Sequence, residues 1–323
     1  MPFSSEELAW AAGIVGKSVP PTPQYAWPLL ASQVGAEVWV KHENHTPTGA
    51  FKVRGGLIYA ERLRSTRPAV NGIISATTGN HGQSLAFAGR AAGIDVTIVV
   101  PHGSSPGKNA AMRAFGAELI VHGDDFQAAR EFAGQLGAER GLETVPPYHP
   151  DLVLGVATYA AELFAAAGEL DAVYVPVGMG SGISGIIGVR DLLGLRTEVI
   201  GVVAAQAPAT ALSVAAGKVV TTPASTTFLD GVAARVPDPD AIALISRGAA
   251  RILTISEDDG AQAMRALFAA THNVPEPAGA LALAGLLAER SAMAGKRVAV
   301  IQTGGNADEG LLITVLSGGT PAA

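Results

Sequence analysis

The stretch NGIISATTGNHGQSLAFAGRAAGIDVTIVV (71–100) holds two short apolar runs, NGIISA (71–76) and DVTIVV (95–100), on either side of an alanine-rich segment, GQSLAFAGRAAG (82–93). The runs are apolar throughout instead of alternating, the pattern of strands covered on both faces. The segment between them reads as a helix. Strand, helix and strand in that order make a parallel pair with a crossover. The alternation continues through ELIVHG (118–123), DAVYVPVG (171–178), TEVIGVV (197–203) and KRVAVIQTGG (296–305), with helical segments such as PGKNAAMRAFGA (106–117) between them. The expected fold is α/β with mainly parallel sheets.

Composition agrees with a folded α/β chain. Of 323 residues, 48% are hydrophobic and only 15% charged, enough to build two moderate domains or one large one. The net charge of −6 is spread along the chain, and no basic stripe offers a nucleic-acid surface. No cysteine occurs. That removes disulfides, thiolate metal sites and cysteine nucleophiles, and it fits a reducing cytoplasm. The start, MPFSSEELAWAAGIVG, lacks the basic and apolar regions of a signal peptide. No run approaches the roughly 20 apolar residues that span a bilayer.

The run 54–150 forms one compact strand–helix series, expected as a small domain. Residues 1–53 with 151–323 would build a larger domain around it, the chain returning at PPYHPD (146–151). Ligands of open α/β sheets sit beyond the carboxyl ends of strands. Three loops there are unusual. SATTGNHGQ (75–83) places Thr77, Thr78, Gly79, Asn80 and His81 at a helix entrance, where N–H groups and hydroxyls suit a carboxylate; the plain alternative is a helix cap by Thr78 or Asn80. VGMGSGISG (177–185) lets backbone approach a phosphate at Gly178, Gly180 and Gly182, with Ser181 adding a hydroxyl, although a tight strand-to-helix turn uses the same glycines. QTGGN (302–306) sets the Thr303 hydroxyl beside two glycines; by itself it decides nothing.

The six lysines narrow the search for a reactive amine. Lys17, Lys218 and Lys296 fall in loops or turns, Lys41 ends the strand-like AEVWVK, and Lys108 starts a helix expected to be exposed. Only Lys52, in FKVRGG (51–56), combines an aromatic neighbour, a nearby turn and a helix entrance. A partly desolvated amine has a lowered pKa and can form a Schiff base with a carbonyl.

TGAFKVRGG, TTGNHGQ, GMGSG and TGGN occur in this order and resemble four motifs of the fold type II (β-family) pyridoxal-phosphate enzymes. PHGSSPGKNAAMRAFGAELI (101–120) resembles a further family stretch. The likeness spans about residues 20–310 and is nearest to the serine/threonine dehydratase and serine racemase branch. It implies a tryptophan synthase β-like fold, two open α/β domains with pyridoxal 5'-phosphate between them, and a homodimer. It further implies that Lys52 holds the cofactor and takes the substrate α-proton, that Phe51 packs beside it, and that Asn80 bonds its ring oxygen. Gly178, Met179, Gly180, Ser181 and Gly182 would cradle the phosphate, Gly231 of FLDGVAARVP (228–237) would abut the cofactor, and Thr303 would pair with the ring nitrogen. Thr77, Thr78, Gly79, Asn80 and His81 would bind the carboxylate of a small amino-acid substrate. The implied reaction is dehydration of a β-hydroxy amino acid, serine- or threonine-like or 3-phenylserine, to a 2-oxo acid and ammonia.

Departures refine this expectation. Thr78 stands where racemases of the branch carry serine, and its β-branched hydroxyl has restricted rotamers, which disfavours racemisation. Val203, Ala207 and Ala209 occupy the positions of a divalent-cation site in relatives and cannot ligate a hard cation, so no such metal is expected. The chain ends before a C-terminal regulatory domain would fit, so feedback by isoleucine is not expected. The motif loops hold no spare arginine for the second carboxylate of 3-hydroxyaspartate. His42 and His45 read either as pocket residues or, being neighbours of a polar loop, as plain surface or capping groups, the second preferred; Glu276 reads either as a helix-start acid or as a group near the cofactor. A racemase, a β-replacing synthase and a non-enzymatic binding protein remain the alternatives.

Overall fold

A computed structural model of the chain describes residues 2–77, 79–223, 225, 226 and 228–321. Two sheets organise it. The strands are β1 (Gln24–Ala26), β2 (Glu37–His42), β3 (Gly72–Ala76), β4 (Asp95–Val100), β5 (Glu118–Val121), β6 (Glu143–Thr144), β7 (Ala172–Pro176), β8 (Glu198–Ala204), β9 (Arg251–Ile255) and β10 (Arg297–Gln302). The larger sheet runs β1-β2-β10-β7-β8-β9 and the smaller β5-β4-β3-β6. All pairings are parallel except β1 with β2, an antiparallel edge strand of three residues. The fold is the expected pair of mainly parallel α/β units. Sequence reading found the long strands; β1, β6 and β9 escaped it because they are short or not fully apolar.

The apolar runs are buried as their pattern requires. Ile73, Ile74, Ile98, Val99 and Val100 in the smaller sheet, and Val298, Ala299 and Ile301 in the larger, are fully enclosed. Each large aliphatic side chain so buried contributes about 1.5–3 kcal/mol relative to exposure. The crossover helices begin and end on conventional signals. Ser105, Asp125 and Asp238 accept from backbone N–H groups at their helix starts. Gly93 and Gly141 close helices with positive φ.

Two helices join the halves. Lys52–Thr66 packs against Pro150–Ala167 and against Asn80–Ala92. Gly55 and Gly155 face each other there, and a Cβ on either would strike the other helix's backbone. Pro150–Ala167 is long and apolar enough to cross a membrane by length and composition alone, yet most of its side chains lie inside the protein. The carboxyl ends of β3, β7 and β10 lead into the three loops singled out above, and these converge on the start of the helix Lys52–Thr66.

Candidate active site

Lys52 is the first residue of its helix. Its place is fixed from both sides of the cleft. The Phe51 N–H donates to the Thr303 carbonyl (2.9 Å), and Ala50 bridges Gly304, so the loop after β10 runs along the residues just before the lysine. From the smaller unit, Ser84 Oγ donates to the Lys52 carbonyl (2.6 Å). Burial pushes the Lys52 amine below the ordinary lysine range, with Glu276 and Asp230 opposing the shift. A lysine that sheds its proton readily is a competent nucleophile and base.

Two residues along, Arg54 is wholly buried behind this site. Its guanidinium bonds both oxygens of Glu43 (2.7 and 2.9 Å) and both of Glu162 (2.7 and 3.0 Å). Lys41 adds a 2.5 Å pair to Glu162 and donates to the Thr22 carbonyl. Two cations and two carboxylates thus cancel inside the protein and lock the Lys52 helix to β2 and to Pro150–Ala167. Lys41, expected only to end a strand, belongs to this network. Burial lowers its pKa, with Glu43 and Glu162 opposing.

The loop after β3 forms the second wall. Thr77 is buried, its N–H donating to the Val99 carbonyl, and its hydroxyl accepts from the Gly79 N–H (3.3 Å). Asn80 and His81 open the next helix. Thr78 lies outside the described residues. His81 is held to a pKa of about 3 by burial and by Lys52, and so is neutral. Its Nε2 is buried with no partner among the described residues. An orphaned buried ring nitrogen in a cleft is a place for a ligand hydrogen bond.

The loop after β7 forms the third wall. Gly180 precedes the helix Ser181–Leu192 with φ +100°, a conformation L side chains rarely adopt, and caps it without a side chain. A Cβ on Gly178 would stand 2.8 Å from the Gly231 carbonyl, and one on Gly182 3.3 Å from the Tyr159 hydroxyl and 3.8 Å from the Phe51 ring. Gly178, Met179, Gly180, Ser181, Gly182, Gly231 and Phe51 therefore form one packed group. The first-turn N–H groups of an α-helix lack intrahelical partners and suit an anion. Thr303 is buried beside Phe51 and completes the ring of residues around Lys52. A glycine-rich helix start, an amine with a lowered pKa and a buried hydroxyl are the kinds of group that pyridoxal phosphate would use.

Several site residues were not assigned from sequence, and two expectations are corrected. Lys108 does start a helix, but it is only 14% exposed and pairs with Asp230 at 3.3 Å across the cleft. Burial opposes its charge, yet Asp230, Glu276 and Asp308 outweigh that and raise its pKa. His42 is no surface group. It is buried between Trp27 Nε1 (3.1 Å) and Gln302 Oε1 (2.8 Å), while His45 is exposed and meets Asn273. Glu276 occupies a helix N-cap position, as one of its two readings had it, and turns its carboxylate to Asn80 (2.7 Å); burial raises its pKa. Asn306 bonds Asn80 from the other side. Asn306 and Lys108 lay inside the quoted motifs; their chemistry needed the cleft to be closed before it showed. Val203, Ala207 and Ala209 are buried core positions.

Comparison with known proteins agrees with this geometry. Residues 15–304 match the model of a family described as "Pyridoxal-phosphate dependent enzyme". The chain is 31% identical to L-threo-3-hydroxyaspartate ammonia-lyase of Saccharomyces cerevisiae, over 95% of this chain and 94% of that one. It is 33% identical to the biosynthetic L-threonine dehydratase of Salmonella typhimurium over 88% of this chain, but spans only 56% of that longer protein. Among solved structures, the processed form of threonine deaminase isoform 2 from Solanum lycopersicum superposes with a TM-score of 0.89 at 27% identity, covering 98% of this chain and 95% of that one.

Proposed function

The chain belongs to the pyridoxal-phosphate-dependent enzymes, in the fold type II threonine/serine dehydratase–racemase branch, and from that premise we infer that it is an ammonia-lyase for a small β-hydroxy amino acid of the serine or threonine type. The observation that carries this is Lys52, a half-buried amine with a lowered pKa beside a glycine-rich helix start suited to a phosphate, a helix entrance suited to a carboxylate and a buried threonine hydroxyl.

Bound pyridoxal 5'-phosphate supplies a carbonyl carbon for amines and an electron-accepting ring. The remaining roles fall to the chain. Lys52 Nζ would anchor the cofactor and, once the substrate amine takes its place, be free to take the α-proton. The open N–H groups at 178–182 hold the phosphate, and Phe51 and Gly231 confine it. Thr303 offers a neutral hydroxyl to the ring nitrogen, which does not force that nitrogen to be protonated. The Thr77–His81 loop receives the substrate carboxylate and orients the Cα–H bond toward Lys52. As that bond breaks, its electron pair would form the Cα–Cβ double bond, and the β-hydroxyl would leave as water by taking up the proton that Lys52 removed. The released enamine tautomerises and is hydrolysed to a 2-oxo acid and ammonia.

The test is a panel of L-serine, L-threonine, 3-phenylserine and 3-hydroxyaspartate with purified holoenzyme, scored for 2-oxo acid and ammonia in equal amounts. Turnover that instead retains the amino group, as D-isomer or β-substituted product, would replace this reading by a racemase or synthase.

A further inference from the structure

A substrate carboxylate on the 77–81 loop lacks a full counter-charge within the loop itself. His81 is neutral there. Both ends of the Asn80 amide are engaged, with Glu276 and Asn306. A helix N-terminus offers only about half a charge. Desolvating a carboxylate without a cation costs several kcal/mol. Two cations act on Glu276 across the site, Lys52 and Lys108, and Lys52 must stay neutral to serve as a base.

Lys108 has the required position. Its side chain lies over Gly79: a Cβ built there would be 3.4 Å from Lys108 Cδ and 3.7 Å from Nζ. The ammonium is mostly enclosed, whereas its partner Asp230 is 42% exposed. Its helix start is held in place by Ser105 Oγ, which donates to Asp308 Oδ1 (2.5 Å) and accepts from the Lys108 N–H (3.2 Å).

Resting on the reading above, the geometry points to Lys108 as a substrate-binding residue, the cation that meets the α-carboxylate of the amino acid after leaving Asp230. Asp230 keeps the ammonium in the cleft when no substrate is present. Being partly in water, it is rehydrated at small cost when Lys108 turns to the carboxylate. The assignment commits to a charged carboxylate as the ligand group, so an amide of the same amino acid gains nothing from Lys108.

The experiment titrates holoenzyme with glycine and with glycinamide, neither of which has a β-leaving group, and follows the visible absorption band. Lys108→Met is expected to raise the Kd of glycine about 10- to 100-fold and to leave that of glycinamide unchanged, which also shows that the variant is folded. Lys108→Arg keeps most of the glycine affinity. Asp230→Asn removes the competitor and tightens glycine about 2- to 5-fold. The assignment is overturned if Lys108→Met weakens both ligands alike or neither, or if Asp230→Asn weakens glycine, the result expected of a merely structural tie. Formation of 2-oxo acid by the unaltered enzyme is the separate readout: its absence sinks the lyase reading, whereas its presence beside an unaltered acid-to-amide ratio in Lys108→Met sinks this assignment alone.

Discussion

Asn80 Nδ2 donates to Glu276 Oε1 over 2.7 Å, while Asn80 Oδ1 accepts from Asn306 Nδ2 over 2.8 Å. Asn80 opens the helix that follows β3 of the smaller sheet; Glu276 and Asn306 belong to the unit built on the larger one. One amide therefore ties the two halves together beside Lys52. The tie requires glycine at 304, since a Cβ there would collide with the Glu276 carboxylate. Asn306 is itself held by the Thr48 carbonyl (2.8 Å), so the strut is anchored on both sides. The cleft is thus set by side-chain chemistry as well as by packing of the two sheets.

Replacing Lys52 by alanine should remove both the anchoring amine and the base. The expected result is loss of the yellow, borohydride-reducible chromophore and a fall in 2-oxo acid formation of at least about 1000-fold. Absorbance and a coupled ketoacid assay measure these separately. Stability should hold or rise, because a poorly solvated amine is being removed. Turnover that survives in Lys52→Ala would end the role assigned to this residue.

Arg54→Leu leaves Glu43 and Glu162 facing each other without the guanidinium that bonds both. Breaking one member of a buried charge network costs about 3–5 kcal/mol. Thermal unfolding should therefore begin many degrees lower, by roughly 2–4 °C for each kcal/mol. The Lys52 helix would also lose its fixed position, so kcat should fall even below the unfolding temperature. A Tm within a degree of the parent would show that the network is not needed.

How much of this was legible in sequence follows from which forces write themselves locally. Strands β3, β4, β7, β8 and β10 announced themselves because burial on both faces demands unbroken apolar runs. The 77–81 and 177–185 loops showed because glycines and hydroxyls at strand ends have few other uses. Lys108, by contrast, reads as any exposed helix-start lysine. Its partner Asp230 lies more than 100 positions away, and no local pattern encodes that pairing. His42 was misread for the same reason: its partners Trp27 and Gln302 come from separate strands or their flanks. Long-range polar pairs must await the fold.

His42 gives a pH prediction with a defined sign. Burial lowers its pKa from 6.5 to about 4. The unfolded chain therefore takes up a proton below about pH 6.5, while the folded one does not until about pH 4. Stability from this group is present above the unfolded value and is lost as pH falls through that window, at about 1.4 kcal/mol per unit. His42→Gln, which can still bond Gln302 or Trp27, should flatten the decline of denaturant midpoint between pH 6.5 and 4. An unchanged slope would place the acid sensitivity in other groups, His81 first among them, because its shift runs the same way.

The 177–185 loop can be tested as a phosphate site by comparing two glycines that both have positive φ but differ in surroundings. Gly180 has φ +100° and Gly141 φ +65°. A Cβ on Gly180 would lie 3.0 Å from Ala241 Cβ and 3.2 Å from Ile245 Cδ1, whereas one on Gly141 meets nothing within 4 Å. Alanine at either position costs about 1–2 kcal/mol of left-handed strain. Only at 180 can that strain and crowding be relieved by moving the N–H groups that face the phosphate. Gly180→Ala should therefore weaken pyridoxal-phosphate binding about 10-fold or more, read by titrating the apoenzyme with cofactor. Gly141→Ala should lower the unfolding temperature and leave that affinity as it was. Equal cofactor affinities in the two variants would mean that the loop at 177–185 is a strand-to-helix turn and that the phosphate lies elsewhere.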